Sequence, residues 1–189
     1  MLYIRTDIES IDLVGVMTEL SEQRRKRVEA MRCEHDRRQS IAAYLLLREA
    51  LRKEYDIGYA PVFGYYDGGK PFISDRPDIC FSLSHCRNGV ACVLAEEPVG
   101  VDIESIRPYK PELARRVLND AELAEVDESD RPDIEFIRLW TMKESYLKMT
   151  GSGIRSDLKQ VPLSEACFET SVDMSAGYVC TVCRRKREE

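Results

Sequence analysis

The stretch from Ile79 to Glu104 limits what this chain can become more than any other. Ile79-Cys80-Phe81-Ser82-Leu83-Ser84 alternates apolar and small side chains, Val90–Ala95 is wholly apolar, and Val99-Gly100-Val101-Asp102-Ile103-Glu104 alternates again. A period of two sends successive side chains to opposite faces of a strand and has no helical counterpart. Asn88-Gly89 is a signal for a type I′ turn, so the first two runs read as a hairpin. Glu97-Pro98 turns the chain again before the third run. Antiparallel sheet is therefore expected near the middle of the chain. The same alternation puts Asp102 and Glu104 on one strand face and Val101 and Ile103 on the other.

Helices flank this block. Ser21 opens a helical stretch, with Thr18 or Ser21 as its cap and two charged runs, Arg24-Arg25-Lys26-Arg27 and Asp36-Arg37-Arg38. From Ser40 to Tyr55, Ile41, Tyr44, Leu45, Arg48 and Leu51 follow helical spacing, and Gly58 is the expected stop. Residues 56–78 are rich in Gly, Pro, Asp and Tyr and read as loop. One helix is expected from Pro111 to Asp127 and another from Ile134 to Met149, capped by Asp133 and ended by Gly151 and Gly153. Val161–Leu163, Cys167–Phe168 and Tyr178–Val182 alternate loosely as two or three strands, and Arg184–Glu189 is expected to fray. The order helix then sheet recurs on each side of residue 98.

The chain's 189 residues can bury a core without a metal or disulfide staple. Its net charge of −6 argues against a general nucleic-acid binder. The charge is segregated. Ten Lys/Arg face six Asp/Glu from Ser21 to Tyr55, whereas five face thirteen from Glu96 to Glu135. A basic arm beside an acidic centre suits a polyanion held through a divalent cation, although solvated helix faces produce the same counts. The longest apolar run, Ile41–Leu47, has seven residues, too few to span a membrane. The opening MLYIRTDIES lacks a signal-peptide pattern, so the cytoplasm is the expected compartment. The seven cysteines are then expected as reduced thiols packed as small hydrophobes. Cys180 and Cys183 have CxxC spacing without a second pair, and zinc there would need a distant ligand such as His85.

Several side chains could carry chemistry. At 100° per residue, Phe136, Ile137, Trp140, Glu144, Leu147 and Lys148 share one helical sector, which sets Glu144 among apolar neighbours. A carboxylate there needs a cation, and Lys148 lies four residues on in the favourable order. Asp102 and Glu104 repel each other on one strand face unless water or a cation screens them, and Mg²⁺ takes such oxygens together with waters and phosphates. Ser84-His85 leaves a strand beside a tight turn, where donors can meet a phosphate. Lys70 sits in the glycine-flanked segment Gly68-Gly69-Lys70-Pro71. Solvated surface residues account for each feature taken alone.

Taken together, Gly69-Lys70-Pro71, Phe81-Ser82-Leu83-Ser84-His85, Gly100-Val101-Asp102-Ile103-Glu104 and Trp140-Thr141-Met142-Lys143-Glu144-Ser145-Tyr146-Leu147-Lys148 with Gly151-Ser152-Gly153 resemble the motif series of the 4′-phosphopantetheinyl transferases. The likeness is to the surfactin-synthetase type, with two pseudo-symmetric halves in one chain, and it covers roughly residues 20–155. It implies transfer of the phosphopantetheine arm of coenzyme A to a serine of an acyl or peptidyl carrier protein, with release of 3′,5′-ADP. It implies Asp102, Glu104 and Glu144 as Mg²⁺ ligands, a set that Mn²⁺ also accepts. Glu144 would be general base, and Lys148 the cation on the departing phosphate. Ser84 and His85 would meet the coenzyme's 3′-phosphate, with Lys70, Arg24, Arg27 and Arg38 as further coenzyme contacts. Relatives carry an arginine where this chain has Gln39, and Arg37 or Arg38 would stand in for it. Glu122 matches a further acidic position.

The expected fold is α+β, with two similar half-domains, 1–97 and 98–189, each packing helices on a small, mostly antiparallel sheet. The site is expected in the cleft between them, with basic groups from the first half and acidic groups from the second. The expected protein is a monomer whose partners are coenzyme A and a carrier protein, with no nucleic acid and no membrane. Two other readings stay open on the residues alone. One is another Mg²⁺-dependent enzyme acting on a nucleotide pyrophosphate. The other is a non-catalytic module that binds coenzyme A or a carrier.

Overall fold

The alternating block folds as strands, but its turns differ from expectation. The computed structural model describes residues 1–153 and 157–186. Strands β4 (Cys80–Cys86) and β5 (Gly89–Ala95) pair antiparallel with Cys86 opposite Gly89. The loop is therefore Arg87-Asn88, and neither residue has the positive φ that a type I′ turn demands. Gly89 serves close packing instead, because a Cβ there would stand 3.1 Å from the Arg5 carbonyl oxygen. Arg5 ends β1 (Leu2–Arg5), which pairs antiparallel with the other edge of β5. The order of this first sheet is β1-β5-β4.

The turn at Glu97-Pro98 carries the chain out of that sheet. Strand β6 (Val99–Ser105) pairs with β8 (Tyr178–Arg185), whose other edge takes β7 (Ala166–Asp173), giving the antiparallel order β6-β8-β7. Ala91 and Val93 of β5 pack with Val99, Val101 and Ile103 of β6 and with Cys180 and Val182 of β8. The apolar alternation of β6 thus fills the seam between the two sheets. Its other face, with Gly100, Asp102 and Glu104, is left for something else. At the far end of the seam, Asn88 Nδ2 donates to the Ala176 and Gly177 carbonyls at 2.8 and 3.0 Å.

Each sheet carries helices on its remaining face. Helix α1 (Glu22–Glu29) is capped by Ser21, whose Oγ accepts from Arg24 N. Helix α2 (Glu34–Tyr55) lays Ile41, Tyr44, Leu47 and Leu51 against Val90, Cys92 and Leu94. It starts a turn and a half before the expected Ser40, with Glu34 and Asp36 favouring its first turn. It ends at Asp56 in the left-handed region, φ 55°, before Gly58 is reached; aspartate tolerates that region. Buried Tyr44 keeps its hydroxyl satisfied, accepting from Ser21 N and donating to the Pro61 carbonyl. The loop that follows holds a short hairpin of β2 (Phe63–Tyr65) and β3 (Pro71–Ile73).

In the second half, the helix expected over 111–127 is two: α3 (Pro111–Val117) and α4 (Asp120–Asp127). Leu118 is extended, and Asn119 opens α4 with a capping box closed by Glu122. Helix α5 (Pro132–Thr150) begins with Pro132 in its first turn and Arg131 as N-cap, not Asp133. Asp133 lies in that turn and pairs with Arg131 at 2.9 Å. Val161–Leu163 forms no strand. Short 3-10 turns occupy Leu158–Gln160 and Leu163–Glu165, and Pro162 could not donate to a ladder. Arg184 and Arg185 belong to β8, while 187–189 lie outside the described residues. Among the described residues no helix is long and apolar enough to cross a membrane.

All seven cysteines are free thiols. Cys180 and Cys183 lie three apart on β8, so they point to opposite faces and enter different apolar clusters. Burial pushes both thiols up to about 12 and raises Cys92 further. The thiolate is the reactive species. Native protein treated with iodoacetamide near pH 8 is therefore expected to alkylate at exposed Cys33 and Cys167, with buried Cys86, Cys92, Cys180 and Cys183 reacting only after unfolding. Peptide mass spectrometry reads this. Labelling of Cys92 or Cys180 as fast as Cys33 would contradict the packing.

Candidate active site

Gly100 allows the site to exist. Helix α5 crosses β6 so closely that a Cβ at Gly100 would overlap the Ser145 carbonyl oxygen and stand 2.6 Å from Met149 N. The polar face of β6 is thereby pressed against the helix that carries Glu144 and Lys148. From the other side comes β4, joined to β6 by side chains. Ser82 Oγ accepts from Val101 N at 3.1 Å. Two residues on, Ser84 Oγ donates to Asp102 Oδ1 at 2.8 Å.

Asp102 is the centre of the arrangement. Lys148 Nζ donates to Asp102 Oδ1 at 2.7 Å and to Ser84 Oγ at 2.8 Å. The Asp102 side chain is 6 % exposed, and its Oδ2 is buried with no hydrogen-bond partner. The expected Glu144–Lys148 pair is replaced by this contact, because the lysine reaches across to the strand. Glu144 and Glu104 are half-buried. Burial holds both carboxyls above the usual range, and the Asp102 charge adds to it. Lys148 opposes the shift at Glu144, as do Arg107 and Lys148 at Glu104. Arg107 lies 3.4 Å from the Glu104 carboxylate.

Among the described residues no three His, Cys, Asp or Glu side chains are gathered so as to hold an ion as they stand. The donor chemistry still fits a hard divalent cation. Asp102 Oδ2 is a buried acceptor with no donor, and the two neighbouring carboxyls are held up first by burial and then by the Asp102 charge, which a cation would offset.

Two adjoining cavities open beside these groups. One, of about 260 Å³, is lined by Gly69, Lys70, Pro71, Leu83, Glu144 and Lys148 among others. The second, of about 230 Å³, shares Gly69, Pro71 and Leu83 and adds Arg24, Arg27 and His85. Arg24 Nη2 donates to the Ser40 carbonyl at 2.7 Å, while its Nε is buried without a partner. Burial lowers the Arg24 pKa, and the neighbouring Arg27 charge lowers it further. Arg27 donates to the Tyr65 hydroxyl at 2.9 Å. His85 is an exposed residue, yet the enclosure of its ring lowers its pKa, as do the Lys148 and Arg24 charges. One cavity is therefore cationic, and the other brings Glu144 together with Lys70 and Lys148.

Some sequence-predicted residues are engaged elsewhere. Lys70 Nζ donates to the Val99 and Met149 carbonyls at 3.1 and 2.9 Å, and burial lowers its pKa. Arg38 holds the amino-terminal segment, donating to the Glu9 and Ile11 carbonyls and pairing with Glu34 at 2.9 Å. It lines neither cavity. Gln39 is buried and donates to the Cys86 carbonyl at 2.6 Å. Arg37 donates to the Met31 carbonyl. Sequence reasoning also missed the role of Lys143. It is buried, with Nζ 2.7 Å from Glu122 Oε1 and 2.8 Å from the Leu158 carbonyl. The pattern Asn119-x-x-Glu122 was the available signal for where that acid sits.

A 4′-phosphopantetheinyl transferase, AcpT of Salmonella typhi, is 34% identical over 150 residues, which is 75% of this chain and 74% of that protein. The chain belongs to the 4′-phosphopantetheinyl transferase superfamily. The model of that superfamily matches residues 98–183 of the transferase, the part that carries Asp102, Glu104, Glu144 and Lys148. The 4′-phosphopantetheinyl transferase Sfp of Bacillus subtilis strain 168 is 27% identical over 186 residues, covering 88% of this transferase and 83% of its own length. HetI of a Nostoc species, another 4′-phosphopantetheinyl transferase, is 36% identical over 100 residues, 49% of the transferase and 42% of itself. The transferase is thus an enzyme of the phosphopantetheine-transferring class, and its helices on small antiparallel sheets agree with the α+β fold that the resemblance implied.

Proposed function

We propose that the transferase moves the 4′-phosphopantetheine arm of coenzyme A to a serine of an acyl or peptidyl carrier protein and releases 3′,5′-ADP, with Mg²⁺ as the metal and Mn²⁺ as a substitute. The observation that carries this reading is the buried Asp102 carboxylate. One oxygen is fixed by Lys148 and Ser84, and the other has no partner. Two raised carboxyls stand nearby, and a cationic cavity adjoins. Phosphoryl transfer depends mainly on positioning and charge neutralisation, and this is an arrangement for both.

In this reading residues 1–97 supply Arg24, Arg27 and His85 for the coenzyme's phosphates, and residues 98–189 supply the carboxylates, the two acting as one catalytic unit. Asp102, Glu104 and Glu144 would hold the metal, which supplies neutralisation of the diphosphate charge. The carrier serine oxygen forms a bond to the phosphorus on the pantetheine side as the bond from that phosphorus to the 3′,5′-ADP oxygen breaks. Glu144 receives the serine proton as general base. Lys148, already held at the site, steadies the charge on the departing phosphate. The reading carries with it a monomer that works in the cytoplasm, with neither nucleic acid nor membrane as partner.

The test is intact-mass spectrometry of an apo carrier protein incubated with coenzyme A and Mg²⁺. A gain of about 340 Da on the serine is expected, with 3′,5′-ADP appearing only when carrier is present. Glu144→Gln is expected to slow the gain by about 100-fold or more. No gain on any of several carriers would overturn the reading. Nucleotide release without carrier would point to a pyrophosphate-cleaving enzyme instead.

A further inference from the structure

We infer that Ser84 is a positioning residue for Asp102, and that its hydroxyl sets which carboxylate oxygen faces an incoming cation. The inference rests on the function proposed above and reassigns Ser84, which the family resemblance places against the coenzyme's 3′-phosphate. Ser84 is buried, on the same face of β4 as Ser82. Its proton goes to Asp102 Oδ1 at 2.8 Å, and its oxygen accepts from Lys148 Nζ at 2.8 Å. A hydroxyl has one proton to give, and here it is given to the carboxylate. The donation closes a three-membered set in which Lys148 also bonds Asp102 Oδ1.

The consequence is an asymmetric carboxylate. Both donors converge on Oδ1, so Oδ2 is left as the buried acceptor without a partner. Partners that orient a ligating carboxylate commonly change metal affinity by about 10-fold to 100-fold when removed. Without the Ser84 hydroxyl, only the flexible Lys148 chain would fix the Asp102 rotamer, and rotation would let the ammonium compete for either oxygen.

The experiment is a Mn²⁺ titration followed by electron paramagnetic resonance, with 3′-dephospho-coenzyme A present and a ligand-only control. This coenzyme has the diphosphate but no 3′-phosphate, so loss of a 3′-phosphate contact cannot alter the result. Ser84→Ala is expected to weaken Mn²⁺ binding about 10-fold. Transfer by the variant is expected to keep the parent's preference for coenzyme A over its 3′-dephospho form. If Ser84→Ala does not fold, Ser84→Cys, which keeps a side chain but donates weakly, is expected to show the same loss. A loss of less than about threefold overturns the assignment. Loss of the coenzyme preference with Mn²⁺ binding intact also overturns it. Absence of Mn²⁺ binding by the unaltered protein would instead count against the proposed function.

Discussion

Gly100→Ala is expected to destabilise the transferase by more than about 3 kcal/mol, seen as a lowered urea midpoint. Replacing a strand glycine by alanine ordinarily helps slightly, by restricting the unfolded chain. Here the added methyl would overlap the Ser145 carbonyl oxygen and crowd Met149 N. Both are backbone atoms of α5, so neither can swing aside as a side chain would. Relief requires lifting the helix, whose Phe136, Ile137 and Leu139 are buried in a core shared with α3 and α4. Any protein that stays folded would carry α5 displaced from β6, with Lys148 drawn away from Asp102, so activity should fall along with stability. A variant within about 0.5 kcal/mol of the parent, the range of an ordinary surface change, would mean that helix and strand do not approach this closely.

Lys143→Ala is the second large effect. Its ammonium is buried between Glu122 Oε1 and the Leu158 carbonyl. Truncation leaves the Glu122 carboxylate buried without its cation, a loss of about 3–5 kcal/mol. The carboxylate has a further task, since its other oxygen accepts from Asn119 N in the capping box of α4. Glu122→Gln keeps an oxygen for that bond and removes the charge. The double variant Lys143→Met/Glu122→Gln is therefore expected to recover at least half the loss, because no lone buried charge remains. Denaturant melts of the parent, Lys143→Met, Glu122→Gln and the double variant close the cycle and give the coupling. If the double variant is as unstable as the two single losses summed, the pair does not interact as drawn.

What could be read from the residues was whatever depends on local period. Asp102 and Glu104 share a strand face, and Glu144 and Lys148 share a helix, by arithmetic that needs no tertiary knowledge. The partner choices lay beyond that arithmetic. Lys148 bonds a carboxylate 46 residues away and not the one four residues before it. Lys143, between Met142 and Glu144, faces away from the site into a buried pair. Arg38 looked as free for phosphate as Arg24, yet the 3-10 segment near Ile8–Ser10 brings carbonyls to it. The type I′ reading of Asn88-Gly89 failed because a close strand neighbour, β1, also selects glycine. The break between α3 and α4 is legible as the capping box Asn119-x-x-Glu122, although Leu113, Val117 and Leu118 keep helical spacing up to it.

The lysine tucked between Val99 and Met149 bears on the electrostatics of the whole cleft. The carboxyl end of a helix concentrates about half a unit of negative charge on its last carbonyls, and the cavity beside Leu147, Lys148 and Gly151 opens at that end of α5. A helix so oriented repels phosphate. Lys70 places an ammonium on the Met149 carbonyl, one of those terminal acceptors, and so turns a repulsive macrodipole terminus into a tolerable neighbour for an anion. It does so from the wall of that cavity, which Lys70 itself lines.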